Sequence, residues 1–277
     1  MQIGVTIHAT DRTIDVHELA VAAEERGFHS LYVPEHTHIP VSRETPPPTG
    51  GDELEEKYLR TPDPIVALAA AAALTSTIHL GTAVTLPAQH DPISWAKAIA
   101  TLDRISEGRV VLGVGYGWNV EEMRNHGVEY RDRRALVREH MLLAQSLWRD
   151  DVASYEGDLV ELPPSWSWPK PVQQPRVRTL IGGGAGPKLF ANVAEWADGW
   201  IPFGGSGMKA HLPALRQAFA DAGRDPEELQ IVPMGVLPTT EKLEFFASLG
   251  VTETALQLPV GDRDEVLAAL DEFAAYL

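Results

Sequence analysis

The sequence contains no cysteine. Disulfide staples, thiolate metal ligation and a cysteine nucleophile are therefore excluded together. Positive charge is scarce: 23 Lys and Arg face 39 Asp and Glu, a net charge of −16. Nucleic acid and anionic membrane surfaces are poor partners for such a chain. Long apolar runs are missing as well. The most apolar stretch, residues 65–74, is too short to cross a bilayer. The opening MQIGVTIHATDRTID has neither the basic segment nor the apolar core of a secretory signal. A cytoplasmic protein acting on a small molecule is expected, with a second copy of the chain left open as a partner.

What remains is 277 residues, 44% of them apolar, enough for one large core. Short β-rich runs alternate with amphipathic helices. Strands are predicted at 3–7, 30–33, 78–86, 110–114, 177–181, 199–201, 229–236 and 254–258. Asp63-Pro64, Asp91-Pro92 and Gly186-Pro187 each place a helix start after one of them. Strands that alternate with helices pair in parallel. Eight such units in a chain of this length imply an α/β fold, a (β/α)8 TIM barrel, as a single domain over residues 1–277.

Two connections are too long for plain turns, 37–62 and 152–175. They are expected after strands two and four, on the side where barrel active sites form. The second carries Trp166 and Trp168 among prolines, and is expected to wall a pocket.

Function in a barrel collects where the strands end. The fifth predicted strand runs into Gly182-Gly183-Gly184-Ala185-Gly186, followed by Pro187 and Lys188 at a helix start. Bare backbone N–H groups and a helix N-terminus suit a phosphate. Gly113-Val114-Gly115-Tyr116-Gly117 ends the fourth strand but lacks the third glycine of a dinucleotide fingerprint. A flat ring lying on bare backbone and a simple bulge both explain it. His8 ends the first strand, and Glu35-His36 the second. His36 and His38 have the spacing of a metal pair, but strands five, six and eight end at Gly182, Pro202 and Pro259 and offer no further ligand. No metal is expected, and Glu35 with His36 reads as an acid–base or hydride-site pair.

The segments SLYVPEHTHIPVSR, IHLGTAVTLPAQHDP, DRISEGRVVLGVGYGWNVEEM, SWSWPKPVQ and LIGGGAG followed by ADGWIP resemble the bacterial luciferase-like superfamily, in its branch that uses the deazaflavin coenzyme F-420. The resemblance implies an oxidoreductase exchanging hydride between F-420 and a small organic substrate, and Trp118, which departs from the family pattern, suggests that this substrate is apolar. It places His36 and Glu35 beside the reactive edge of the cofactor. A non-prolyl cis peptide is implied at Ala83–Val84, behind the central ring. Gly115, Tyr116, Gly117 and Trp118 would line the cofactor, with Asn119 and Glu122 nearby, and Gly183, Gly184, Ala185 and Gly186 would hold its phosphate. Sugar-phosphate dehydrogenases of this branch carry a glutamate where this chain has Trp118, so neither that substrate nor that acid transfers. An FMN-dependent monooxygenase fed by a flavin reductase, and a barrel that only carries a flavin, are the alternatives. The negative tail of F-420 would need local cations; Arg43, Lys57, Arg60, Lys170, Arg176 and Arg178 are the candidates.

Overall fold

Parallel strand pairing organises the chain. The computed structural model describes residues 1–277 except Thr49, Asp52 and Ser206. Thr49 belongs to the Pro-Gly run of the first long connection, so that part of the reading lies outside the described residues. The elements follow the predicted alternation: β1 (Gln2–Thr6), α1 (Val16–Glu25), β2 (Ser30–Val33), α2 (Pro64–Ala72), β3 (His79–Thr82), α3 (Pro92–Ile105) and β4 (Val110–Val114). Then come α4 (Val120–Asn125), α5 (Arg133–Arg149), β5 (Ala153–Glu156), β6 (Glu161–Ser165), β7 (Thr179–Gly182), α6 (Pro187–Trp196) and β8 (Gly199–Ile201). The chain ends with α7 (Met208–Asp221), β9 (Gln230–Ile231), β10 (Met234–Val236), α8 (Thr240–Ser248), β11 (Glu253–Gln257) and α9 (Arg263–Ala274).

Nine strands form one curled parallel sheet in the order β10-β11-β1-β2-β3-β4-β7-β8-β9. Its two ends are pieces of one segment: β9 pairs with β8 and β10 with β11. The break falls at Pro233, which has no N–H to give to a ladder, although its carbonyl still accepts from Ala255 N–H at 2.9 Å. The single run predicted at 229–236 is thus interrupted by its proline. The run predicted at 78–86 stops at Thr82, just before the cis Ala83–Val84 peptide.

The helix starts follow the chemistry of their first residues. Asp63 and Asp91 accept hydrogen bonds from Val66 N–H and Ser94 N–H, with proline opening each helix. Large side chains fill the layer between sheet and helices. Inside the curl, Tyr32, Val111, Leu180, Ile201, Val232, Met234 and Ala255 form a second cluster, with Ala83 and Val84 packed against it. At the strands' N-terminal end Glu253 accepts from Ser30 Oγ and Tyr32 Oη, both at 2.6 Å, and from Arg178 Nη2 at 2.9 Å.

The second long connection departs from expectation. It follows α5 rather than a strand, and contains the antiparallel hairpin β5–β6. Gln173 bonds the carbonyl of Val110, the first residue of β4, so this loop sits at the end opposite the strand C-termini. Trp166 and Trp168 are 82% and 59% exposed and do not line the cavity at the strand C-termini. Lys170, Arg176 and Arg178 go with that end: Lys170 bonds the Leu147 and Asp150 carbonyls, Arg176 pairs with Asp198, and Arg178 with Glu253. None of the three is placed to meet a cofactor tail at the other end.

Candidate active site

A cavity of about 860 Å³ opens at the C-terminal ends of the strands. That size suits a cofactor with its substrate. His8, Glu35, His36, Ala83, Val84, Gly115, Tyr116, Gly117, Trp118 and Gly183 all border it. Gly184, Ala185 and Gly186 follow Gly183 just past its lining. From the first long connection come Pro48, Lys57 and Tyr58.

Its floor is the bulge after β3. Val84 projects between two glycines: a Cβ on Gly115 would sit 2.2 Å from Val84 Cγ2, and one on Gly182 would sit 2.7 Å from Val84 Cγ1. Two of the predicted glycines therefore serve close approach to Val84, whose methyls take the space a side chain would need. Gly184 and Gly186 are different: a Cβ there would meet nothing within 4 Å. They border open space at the start of α6, whose Gly186 provides no side-chain cap, so its first N–H groups are free for an anion.

Glu35 does not pair with His36. Its Oε2 accepts from Thr85 Oγ1 and from Leu86 N–H, each at 2.6 Å, and its Oε1 accepts from His90 Nε2 at 2.6 Å. The carboxylate, 3% exposed, thus ties the end of β2 to the residues just past the cis peptide. Burial pushes its pKa up, but the bonds from His90, Thr85 and Leu86 outweigh burial and hold it below the usual carboxylate range. Burial likewise lowers His90, and the hydrogen bond to Glu35 with its negative charge reverses the sign, raising His90. Glu35 is a strut for the cavity floor.

His36 instead pairs with Glu122. His36 Nδ1 lies 2.9 Å from Glu122 Oε2. A carboxylate can only accept, so the proton sits on Nδ1. Trp118 Nε1–H donates to His36 Nε2 at 3.3 Å, which fits the same tautomer. Glu122 is 0% exposed and also accepts from Thr37 N–H at 3.1 Å. It is held in place because Asn119 caps α4, taking Glu122 N–H on Oδ1 at 3.1 Å. Next to it, Glu121 accepts from the backbone N–H of Glu44 and Thr45 and from Thr45 Oγ1. Two adjacent carboxylates of α4 thus fasten the first long connection at two points.

His38 turns away from His36, towards Thr37 Oγ1 and Asn125 Nδ2, each at 2.9 Å. Among the described residues no group of three His, Asp or Glu side chains could hold a metal. His8 lies against Thr61 Oγ1 at 3.0 Å; burial, then the charges of His36 and Lys57, press its pKa down to about 4. His8 is therefore neutral at pH 7.

Glu122, His90 and Tyr58 are the site residues that sequence reasoning missed as partners. Asn119 with a glutamate three positions later has the spacing of a reciprocal helix cap. That signal marks Glu122 as held at a helix start without saying that its carboxylate turns to His36. On the α6 side, Tyr116 Oη accepts from Asn192 Nδ2 at 2.6 Å, and the Arg134 guanidinium lies 4.2 Å from the Tyr116 ring centre. Arg134 and Lys188 have no carboxylate partner among the described residues. By contrast Lys57 is held by Glu55, and Arg60 by Asp11 and Glu56.

Fold and site together define an α/β protein with a ligand cavity at the C-terminal ends of parallel strands, beside a buried histidine–carboxylate pair. The chain belongs to the luciferase-like monooxygenase family, which it matches over residues 1–245. An uncharacterized protein of Mycobacterium tuberculosis is 44% identical over 280 residues, covering 100% of this chain and 99% of its own length. An F-420-dependent glucose-6-phosphate dehydrogenase of Amycolatopsis mediterranei is 30% identical over 223 residues, 78% of this chain and 62% of its own. In structure, an F-420-dependent secondary alcohol dehydrogenase in complex with an F-420–acetone adduct superposes with a TM-score of 0.80 at 19% identity, covering 100% of this chain and 98% of its own. A monooxygenase of Streptomyces bottropensis gives 0.79 at 20%, with the same coverage. At these identities the two structures share the fold. No helix among the described residues is long and apolar enough to cross a membrane.

Proposed function

We propose that the chain is an F-420-dependent oxidoreductase acting on a small apolar substrate. In this reading the curled sheet is a closed (β/α)8 barrel forming one domain, supported by the pairing of residues 230–236 with both β8 and β11. The observation that carries the function is the His36–Glu122 pair at the edge of a cavity whose floor is Val84 seated between Gly115 and Gly182. Val84 with Gly115 and Gly117 would support the flat ring system, and Gly183–Gly186 with the α6 N-terminus would hold the phosphate. Arg134 and Lys188, both without acid partners among the described residues, stand on that side for the negative tail. A deazaflavin bound there supplies or accepts the hydride; the protein orients it and excludes water.

The protein's own part is the proton. Hydride added to a carbonyl carbon leaves an alkoxide that needs one proton, and hydride taken from an alcohol carbon releases one. His36 Nε2 would make this exchange once substrate takes the place of the Trp118 indole N–H that it now accepts, and Glu122 would stabilise the imidazolium whenever Nε2 carries the proton. Trp118 restrains the ring from the other side through its indole N–H. Glu35 positions the cavity floor and takes no proton. Replacing His36 with alanine tests the assignment. Turnover is expected to fall about 10²–10⁴-fold with the F-420 dissociation constant within twofold of wild type. Weakened F-420 binding with unchanged turnover at saturation would make His36 a cofactor ligand instead.

A further inference from the structure

Tyr58 enters the site from the first long connection, on the short 3-10 turn Glu56–Arg60. Its ring stands edge-on to three site rings: His8 at 4.9 Å, His36 at 5.6 Å and Trp118 at 5.8 Å between centres. It is half-buried and borders the cavity, and its hydroxyl makes no hydrogen bond to any described residue. A phenol packed among aromatics usually finds a partner for its O–H. The same cavity is lined by apolar Leu86, Phe203, Leu258 and Val260. The Tyr58 hydroxyl is thus the group of the aromatic cluster left open to a ligand, and His36 Nε2 becomes open to one only when it gives up the Trp118 indole N–H.

The charges around Tyr58 restrict that ligand. Lys57 Nζ lies 5.4 Å from its ring centre but is bonded to Glu55 at 2.6 Å. Arg60 is shared by Asp11 and Glu56, and Arg12 is bonded to Glu56 at 3.0 Å. Arg43 donates to the Thr45 carbonyl at 3.1 Å and lies over Trp118. An anionic substrate would have to draw one of these cations away from its present partner, whereas a neutral one needs none of them.

The geometry points to Tyr58 as the residue that binds the oxygen of the substrate, a neutral ketone, enone or secondary alcohol, opposite His36. This rests on the cofactor reading above. Tyr58 donates its phenolic proton in a hydrogen bond and keeps it. Burial, and then the negative charge of Glu55, raise its pKa above the ordinary phenol value, which suits a donor that stays protonated. The restraints that α4 places on the loop through Glu121 and Glu122 are also what fix the start of the path to Tyr58.

The test uses the full chain and two probes, 2-cyclohexen-1-one and glucose 6-phosphate. Binding is followed by tryptophan fluorescence, and turnover by F-420 absorbance under argon. The Tyr58→Phe variant keeps the ring and its packing. It is expected to weaken 2-cyclohexen-1-one about tenfold in the dissociation constant and to lower kcat as well, because the bonded oxygen gains negative charge as hydride arrives, with the F-420 dissociation constant within twofold. Wild type is expected to bind 2-cyclohexen-1-one in preference to glucose 6-phosphate. If wild type takes up F-420 and Tyr58→Phe leaves enone binding unchanged, the role of Tyr58 is overturned alone. Preference for glucose 6-phosphate, or no binding of the enone, overturns the neutral substrate class. If wild type takes up no F-420, the cofactor reading fails and this proposal falls with it.

Discussion

His36 Nδ1 and Glu122 Oε2 are 2.9 Å apart although their residues are 86 positions apart in the chain, and both side chains are buried. The contact joins the end of β2 to the first turn of α4. It fixes which imidazole nitrogen carries the proton at rest, and so which one faces the cavity.

Replacing Glu122 with glutamine keeps the shape and removes the charge. The amide can turn its NH2 towards Nδ1 and select the other tautomer, and it no longer stabilises the imidazolium. Turnover should fall about 10²-fold or more, while the F-420 dissociation constant stays within twofold. Steady-state kinetics beside a binding titration checks this. Unchanged turnover would separate the pair from the chemistry.

Arg134 gives a second expectation. It has no acid partner among the described residues, lies over Tyr116, and stands beside α6. Arg134→Ala should weaken F-420 about tenfold, as the loss of one charge-assisted contact does. It should also reduce the fall in affinity between low and high salt. Titrations at two salt concentrations measure both effects. Affinity equal to wild type at low salt would remove Arg134 from the phosphate side.

The Glu35–His90 pair predicts a pH dependence of stability. The folded pKa of His90 is raised, so its contribution is complete below about 6.5, the ordinary histidine value, and is lost as pH rises through the folded value. The folded pKa of Glu35 is lowered, so its share is complete above the ordinary carboxylate value and is lost as pH falls through the folded one. His90→Gln should therefore destabilise by about 2 kcal/mol at pH 6 and by clearly less at pH 9. Urea unfolding at the two pH values decides it; a penalty that does not change with pH would mean that His90 is neutral in the folded protein.

The sequence made the alternation of strands and helices legible because a buried parallel strand is a short apolar run and a helix start is a local signal, as at Asp63-Pro64 and Asp91-Pro92. Most cavity residues were legible too, since they follow strand ends in order. Pairings across the cavity were not. Nothing local to Glu35 says that its oxygens reach Thr85, Leu86 and His90 rather than the adjacent His36. Tyr58 was hidden inside a loop without periodicity. The connection at 152–175 was assigned to the wrong end because a proline- and tryptophan-rich composition does not show which end of a helix it follows. Lys170, Arg176 and Arg178 went with it.

The central claim is a deazaflavin site served by His36. Equilibrium titration of the purified chain with F-420 and with FMN, each at low and high salt, tests it most directly. F-420 should bind more tightly, by a margin that shrinks as salt rises and the charges of Arg134 and Lys188 are screened. Equal or tighter binding of FMN, with oxygen consumed once a flavin reductase is added, would contradict it and make the chain a flavin-dependent monooxygenase.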